Sequence, residues 1–99
     1  MKKILIIDSS NNQEIKVGLR IGKKTENLTS KTRMPKSQAV LPLIYKLLKK
    51  HNLKITEING IEVNRGPGSF TGLRVGLSVA NALGFALSIP VNKKKVGGI

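Results

Sequence analysis

Hydrophobic and polar positions change their spacing several times along the chain, and each change marks an element. The stretch over residues 2–7, which is apolar from Ile4 to Ile7 and ends at Asp8, predicts a central strand buried on both faces. Over residues 15–21 apolar side chains alternate with polar residues or glycine, which predicts a half-exposed antiparallel partner strand. Residues 25–33 are more polar and carry lysine, so we expect a third strand at the sheet edge.

Two stretches change to helical spacing. Apolar residues recur every three or four positions over 37–51, with Ser37 as the expected N-cap, and again over 71–87. Between them a short turn leads to a fourth strand around 61–63, which ends at a glycine-rich loop. After the second helix, residues 91–96 are predicted to add a fifth strand.

Three antiparallel strands followed by helix, strand, helix and strand indicate the α/β class. This order is that of a ribonuclease H-like or actin-like (ASKHA) half-domain, a five-stranded mixed sheet with two main helices. At 99 residues the chain fits one domain, residues 1–99, and is too short for a second lobe. It has no cysteine, which suits a reducing cytoplasm, and polar residues interrupt its longest apolar stretch, so we expect no membrane span.

The net charge of +13 admits two interpretations. Clustered lysine and arginine would attract RNA or an acidic partner. However, the basic residues are mostly lysine, their pairs are spread along the sequence, and the chain is also rich in asparagine and isoleucine. That composition is equally expected from a genome that favours A and T in its codons, and both explanations stay open.

The second helix is apolar around about 270° of its circumference, more than one buried face needs. Small residues recur every fourth position at Gly72, Gly76, Ala80 and Gly84 and form a shallow ridge. The ridge could pack on the chain's own strands, but we favour a protein interface because so short a domain has few elements to cover both sides. The predicted interface residues lie on both helices: Leu41, Ile44, Tyr45, Leu48, Gly72, Leu73, Gly76, Leu77, Ala80 and Gly84.

The glycine-rich loop before the second helix is a candidate phosphate site that fits neither common nucleotide pattern. Two interpretations remain: a tight strand-to-helix turn, or a generic anion site at the helix start. The candidate anion-binding residues are Arg65, Gly66, Gly68, Ser69, Thr71 and Arg74.

The chain offers no complete catalytic set. Its five acids, too few to converge as a two-metal site requires, are Asp8, Glu14, Glu26, Glu57 and Glu62. His51, the sole histidine, lies at the end of the first helix and is expected to be solvated. We therefore predict no catalytic residues, no metal site and no cofactor.

A long motif then adds a family resemblance. The segment from Gly66 to Gly76, GPGSFTGLRVG, closely resembles the signature of the bacterial TsaB (YeaZ) family. Shorter matches resemble other family motifs: IDSS at 7–10, SQ with LPLI across 37–44, and LSIP at 87–90. The sequence departs from the pattern at Lys36, where the family usually has histidine, and at Ser9, where it has threonine. The family's second domain has no counterpart in these 99 residues.

The resemblance implies an actin-like fold and a role in making threonylcarbamoyladenosine in tRNA. In that family TsaB is not the catalyst: it binds the catalytic subunit TsaD through helices of its N-terminal domain, and the ATPase TsaE joins the assembly. The family has also been classed with M22 peptidases, for which these residues give no reason. Our leading expectation is a non-catalytic scaffold that pairs with a TsaD-like subunit or as a homodimer. The alternatives are a basic tRNA-binding or other nucleic-acid-binding module and a degenerate actin-like nucleotide binder.

Overall fold

The fold is that of a computed structural model, which describes residues 1–11, 13–31, 36–68 and 70–95. The elements follow in this order: β1 (Lys3–Asp8), β2 (Glu14–Ile21), β3 (Lys24–Lys31), α1 (Lys36–Lys50), a 3₁₀ helix (Ile55–Glu57), β4 (Gly60–Val63), α2 (Phe70–Leu87), β5 (Pro90–Val91) and β6 (Lys94–Lys95).

The strands form one mixed sheet in the order β3-β2-β1-β4-β5-β6. β1 lies between an antiparallel neighbour and a parallel one, so that Leu5 pairs with Leu19 of β2 and with Ile61 of β4. β4 pairs with β5 in parallel, and β5 pairs with β6 antiparallel. The predicted mixed sheet with two helices is therefore confirmed, and β1 is central as expected.

The predicted fifth strand over 91–96 is divided in two. Asn92 and Lys93 have φ angles of 50° and 68°, a left-handed conformation that turns the chain between β5 and β6. Residue 96, like residues 32 and 33 of the predicted third strand, lies outside the described residues.

Both helices pack on one face of the sheet, and the core lies between the helices and that face. Alternate residues of the strands point into it, as Leu5 and Ile7 do from β1. The remaining core residues from the sheet and from α1 are Ile15, Val17, Leu19, Ile61, Val63, Val91, Ala39, Val40, Leu43, Ile44, Leu47 and Leu48. On the other face Ile4 and Ile6 are only half-buried, so burial of β1 on both faces is a prediction that the described part of the chain does not bear out.

The ridge of small residues on α2 faces the chain's own sheet. The buried Ser9 hydroxyl, which follows β1, donates to the Gly72 carbonyl and accepts the Gly76 amide N–H at 3.1 Å. A Cβ at Gly76 would lie 2.5 Å from that hydroxyl oxygen and 3.4 Å from Val63. Ala80 and Gly84 are also buried. Our interface assignment of this ridge is corrected, because its residues are buried inside the domain and the close approach of α2 to β1 and β4 leaves no room for a side chain at Gly76.

Candidate partner-binding surface

Three large apolar side chains remain exposed on the outer surface of the helices. Leu41 and Tyr45, one turn apart on α1, are 53% and 65% exposed, and Phe85 of α2 is 70% exposed. Ala82 and Ala86 beside Phe85 are exposed as well. We call these five residues the outer apolar surface. Exposed aromatic rings of this size are typical of binding surfaces rather than of ordinary solvated faces.

A groove of about 480 Å³ runs beside this surface. Its lining residues are mostly apolar and come from α1, the loop after it and α2: Leu41, Ile44, Tyr45, Leu48, Lys49, Asn52, Leu53, Lys54, Ile55 and Leu83. The Lys49 ammonium lies 5.7 Å from the centre of the Tyr45 ring, at which distance a cation–π attraction orients the ring. The groove thus combines an apolar lining with basic residues from α1 and the loop after it.

The ten predicted interface residues divide according to burial. Leu41 and Tyr45 are exposed, and Leu77 is half-buried. Ile44 and Leu48 belong to the core but also line the groove. The other five, which pack inside the domain, are Gly72, Leu73, Gly76, Ala80 and Gly84.

Phe85 is a surface residue that lies on the polar arc of the second helix and is not among the predicted interface residues. This large apolar ring is exposed on α2, two residues before the end of the helix. The helical period places Phe85 near Asn81 and Ser88, which are both exposed. A large ring among polar residues on one arc is the pattern that could have identified it.

At the carboxyl ends of β1 and β4, Asp8 is held by neutral donors. Its carboxylate accepts the Ser10 amide at 3.0 Å, the Ser10 hydroxyl at 2.6 Å and the Asn64 side-chain amide at 3.3 Å. Burial raises the pKa of Asp8, but the hydrogen bonds from Ser10 and Asn64, with the charge of Lys16, together hold it below its ordinary value. The carboxylate therefore stays ionised and organises the start of the glycine-rich loop.

The loop packs closely against the residues after β1. A Cβ at Gly68 would lie 2.6 Å from the Ser10 Cβ, and Gly66 has a φ of 130° that favours glycine. These contacts support the tight-turn interpretation. Arg65 and Arg74 are exposed nearby, but Ser69 and the Thr71 side chain lie outside the described residues, so the anion site stays a prediction.

His51, the sole histidine, is half-buried and contacts an acid, so the expectation that it is solvated is wrong. His51 Nε2 lies 3.2 Å from a carboxylate oxygen of Glu26, and Lys50 Nζ lies 2.5 Å from the other. The hydrogen bond and charge of Lys50 lower the pKa of Glu26. This cluster joins the end of α1 to the edge strand β3.

Another ion pair crosses the open face of the sheet. Arg20 of β2 and Glu62 of β4 form a two-point contact over β1, and the hydrogen bond from Arg20 lowers the pKa of Glu62. Across the described residues, histidine and carboxylate side chains nowhere gather in a group of three that could hold a metal ion.

Neither helix can cross a membrane: within residues 36–68 and 70–95, where both lie, no segment is long and apolar enough.

The strand order, with both helices packed on one face of the sheet, defines the class of protein. It is a ribonuclease H-like, actin-like domain. The chain is similar to the solved structure of YeaZ from Pseudomonas aeruginosa, with a TM-score of 0.83 and 30% identity, over 92% of this chain and 42% of that one. It is also similar in fold to Thermus thermophilus RuvC, given as a complex with a Holliday junction substrate, with a TM-score of 0.59 and 12% identity over 92% of this chain and 62% of that chain.

The family model described as TsaD, tRNA N6-adenosine threonylcarbamoyltransferase, matches residues 30–93, and the chain belongs to this family. It is 33% identical to the tRNA threonylcarbamoyladenosine biosynthesis protein TsaB of Buchnera aphidicola subsp. Baizongia pistaciae, over 91% of this chain and 40% of the relative. It is 44% identical to the tRNA N6-adenosine threonylcarbamoyltransferase of Syntrophus aciditrophicus over 54% of this chain and 16% of that protein. The resemblance to TsaB is thus confirmed, and the chain spans about 40% of the length of the first of these relatives.

Proposed function

We propose that this chain is a non-catalytic, partner-binding module in the formation of threonylcarbamoyladenosine in tRNA, and that a TsaD-like catalytic subunit docks on the outer apolar surface. The observation that carries the proposal is the exposure of Leu41 and Tyr45 at an apolar groove, together with the exposure of Phe85 on α2. The names of the relatives supply the pathway. The homodimer and the TsaE-like ATPase stay expectations of the resemblance.

Burial of the two rings would contribute much of the binding free energy. An aromatic side chain covers roughly 150–250 Å², and each Å² removed from water contributes about 25 cal/mol. Since Tyr45 and Phe85 are 65% and 70% exposed, a partner that covers each ring would gain about 3 kcal/mol per ring before the costs of association. These two residues are therefore the expected hot spots.

The acids of the chain support a non-catalytic role. Asp8 is held by hydrogen bonds at the loop, and Glu62 is paired with Arg20. Glu57 accepts the Lys54 amide at 2.8 Å and so organises the turn after α1. Each of these carboxylates stabilises a local contact, and this use explains their presence without a reaction.

The test measures binding of this chain to the TsaD of the same organism, by light scattering after size exclusion and by calorimetry. We expect a heterodimer, and we expect Tyr45→Lys and Phe85→Lys each to weaken it by about tenfold or more. Thr29→Lys adds the same charge at an exposed position on the edge strand and serves as the matched control, which should bind as the unmodified chain does. Circular dichroism confirms that each variant is folded.

Two results would overturn the proposal. One is no detectable complex with TsaD at micromolar concentrations. The other is equal affinity for the control and for Tyr45→Lys. A homodimer that TsaD does not displace, and that the two helix variants dissociate, would assign the same surface to a second copy instead.

A further inference from the structure

Lysines that are spread along the sequence converge at one end of the fold. This end, which we call the amino edge, is where β1 and β4 begin and where β2 turns into β3. Its lysines are Lys2, Lys3, Lys23, Lys24, Lys49, Lys50, Lys54 and Lys93. All are exposed except Lys3, which is half-buried.

Backbone pairing fixes this convergence. The Gly22 amide, in the turn before Lys23, donates to the Lys2 carbonyl at 3.5 Å, and Lys24 pairs with Ile21 across the hairpin. On the other side of β1 the Asn59 amide donates to the Lys3 carbonyl at 2.8 Å.

The remaining lysines of the amino edge come from the end of α1, the loop after it and the turn after β5. α1 ends at Lys50, whose ammonium contacts Glu26 of β3, and Lys54 precedes the 3₁₀ helix that leads to β4. Lys93 lines a groove together with Lys2 and Arg20. From β3 to β5 the edge crosses four strand spacings, or about 19 Å.

The eight lysines of this edge outnumber the acids near them, which are Glu26, Glu57 and Glu62. Glu26 is engaged with Lys50, and Glu62 with Arg20. Among the described residues, Lys2, Lys23 and Lys24 take part in no ion pair. Among the residues that the structure describes, the opposite end carries fewer basic residues, Lys16, Lys31, Lys36, Arg65 and Arg74, together with Asp8 and Glu14.

This distribution separates the two explanations of the charge. Codon bias replaces residues wherever a lysine is tolerated, so it places lysines on exposed positions of every face. A concentration of eight lysines at one edge, drawn from five separate parts of the sequence, is instead the pattern of a polyanion-binding surface.

We infer that the amino edge binds the phosphate backbone of a folded RNA, with tRNA as the substrate class. The choice of RNA rests on the proposed function, since the relatives are named for tRNA modification. Lysine suits this role because its ammonium neutralises phosphates as a point charge without reading bases. Of the two exposed rings, Tyr45 lies under Lys49 of this edge and Phe85 lies on α2, so the vesicle measurement below decides between RNA and a membrane.

The test uses two triple variants that lose the same charge. One alters the amino edge: Lys2→Gln, Lys23→Gln and Lys24→Gln. The control alters the opposite end: Lys16→Gln, Lys31→Gln and Arg65→Gln. Binding to a fluorescent unmodified tRNA is followed by anisotropy between about 50 and 200 mM salt, and thermal unfolding confirms that both variants fold.

The amino-edge variant should lose about tenfold or more in affinity at the lowest salt. The slope of log K against log salt should shrink by about one for each lysine that contacts a phosphate. The control should change affinity by about twofold, through net charge alone. These measurements need no TsaD, so tRNA binding without TsaD binding would reject the proposed function and keep the RNA surface.

Three outcomes would overturn the inference: no tRNA binding at low salt, equal losses in the two variants, or a larger loss in the control. Vesicles containing phosphatidylserine provide the last arm. If they bind the chain more tightly than tRNA does, and the amino-edge variant abolishes that binding, the edge serves a membrane and the RNA assignment is wrong.

Discussion

The contact between Ser9 and Gly76 predicts an unusual stability pattern for a glycine in the middle of a helix. Glycine there normally costs about 1 kcal/mol relative to alanine, so Gly76→Ala should stabilise α2 if space allows. The structure leaves no such space, because the new Cβ would lie 2.5 Å from the Ser9 hydroxyl oxygen. That hydroxyl would have to move and give up its bonds to Gly72 and Gly76.

The sizes of these two opposing effects decide whether Gly76→Ala stabilises or destabilises the fold. Loss of hydrogen bonds by a buried hydroxyl costs about 1–3 kcal/mol, which exceeds the helix gain, so Gly76→Ala should destabilise the fold by about 1 kcal/mol. In the Ser9→Ala background the obstructing oxygen is absent. The same substitution should then stabilise by about 1 kcal/mol, which gives a coupling free energy of about 2 kcal/mol between the two sites.

Urea unfolding of the two single variants, the double variant and the unmodified chain measures this coupling. Ala82→Gly, at an exposed position on the same helix, is the matched control and should cost about 1 kcal/mol in both backgrounds. A Gly76→Ala cost that is the same with and without Ser9 would refute the reasoning. If Gly76→Ala instead kept stability and weakened TsaD binding, the small-residue ridge would be an interface after all.

Other predictions concern two polar residues at the edges of β4 and β1. Asn92→Ala should lower the free energy of unfolding by about 1–2 kcal/mol and speed amide exchange at Val63. The reason is that the Asn92 side chain accepts the Val63 amide at 2.8 Å and donates to the Val63 carbonyl at 3.1 Å. An unchanged exchange rate at Val63 would contradict this. Asp8→Asn should cost about 1 kcal/mol at neutral pH. Since the folded-state pKa of Asp8 is lowered, this difference should vanish as the pH falls through that pKa, and urea unfolding at neutral and at acid pH measures it. A cost that persists in acid would exclude the charge as its source.

The elements themselves were largely predictable, because burial enforces the period of each one. The helical spacing on α1 corresponds to core residues such as Leu43 and Leu47, and the alternation on β2 corresponds to Val17 and Leu19. The extent of burial was less predictable: the run in β1 suggested cover on both faces, but Ile4 and Ile6 are only half-buried.

The orientation of α2 could not be read from its sequence. A helix that is apolar around most of its circumference fits a sheet on several faces, and small residues suit a sheet or a partner equally. The deciding contact joins Ser9 to Gly76, which are 67 positions apart. Asn92 escaped notice for the same reason, since its partner Val63 lies 29 positions away on another strand. Long-range polar contacts of this kind leave no periodic signal.

The inward orientation of the ridge links the two proposed surfaces. Because the small residues pack on the sheet, the outer side of the helices carries Tyr45 and Phe85, and the groove beside Tyr45 includes Lys49 and Lys54. These two lysines also belong to the amino edge, so the apolar groove and the basic edge are continuous. A partner seated on the helices would therefore lie directly beside bound RNA, and it would cover part of the lysine cluster while leaving Lys23 at the hairpin turn accessible. If both proposals hold, the module acts by position alone, because it would hold a polyanionic substrate next to whichever subunit covers its helices.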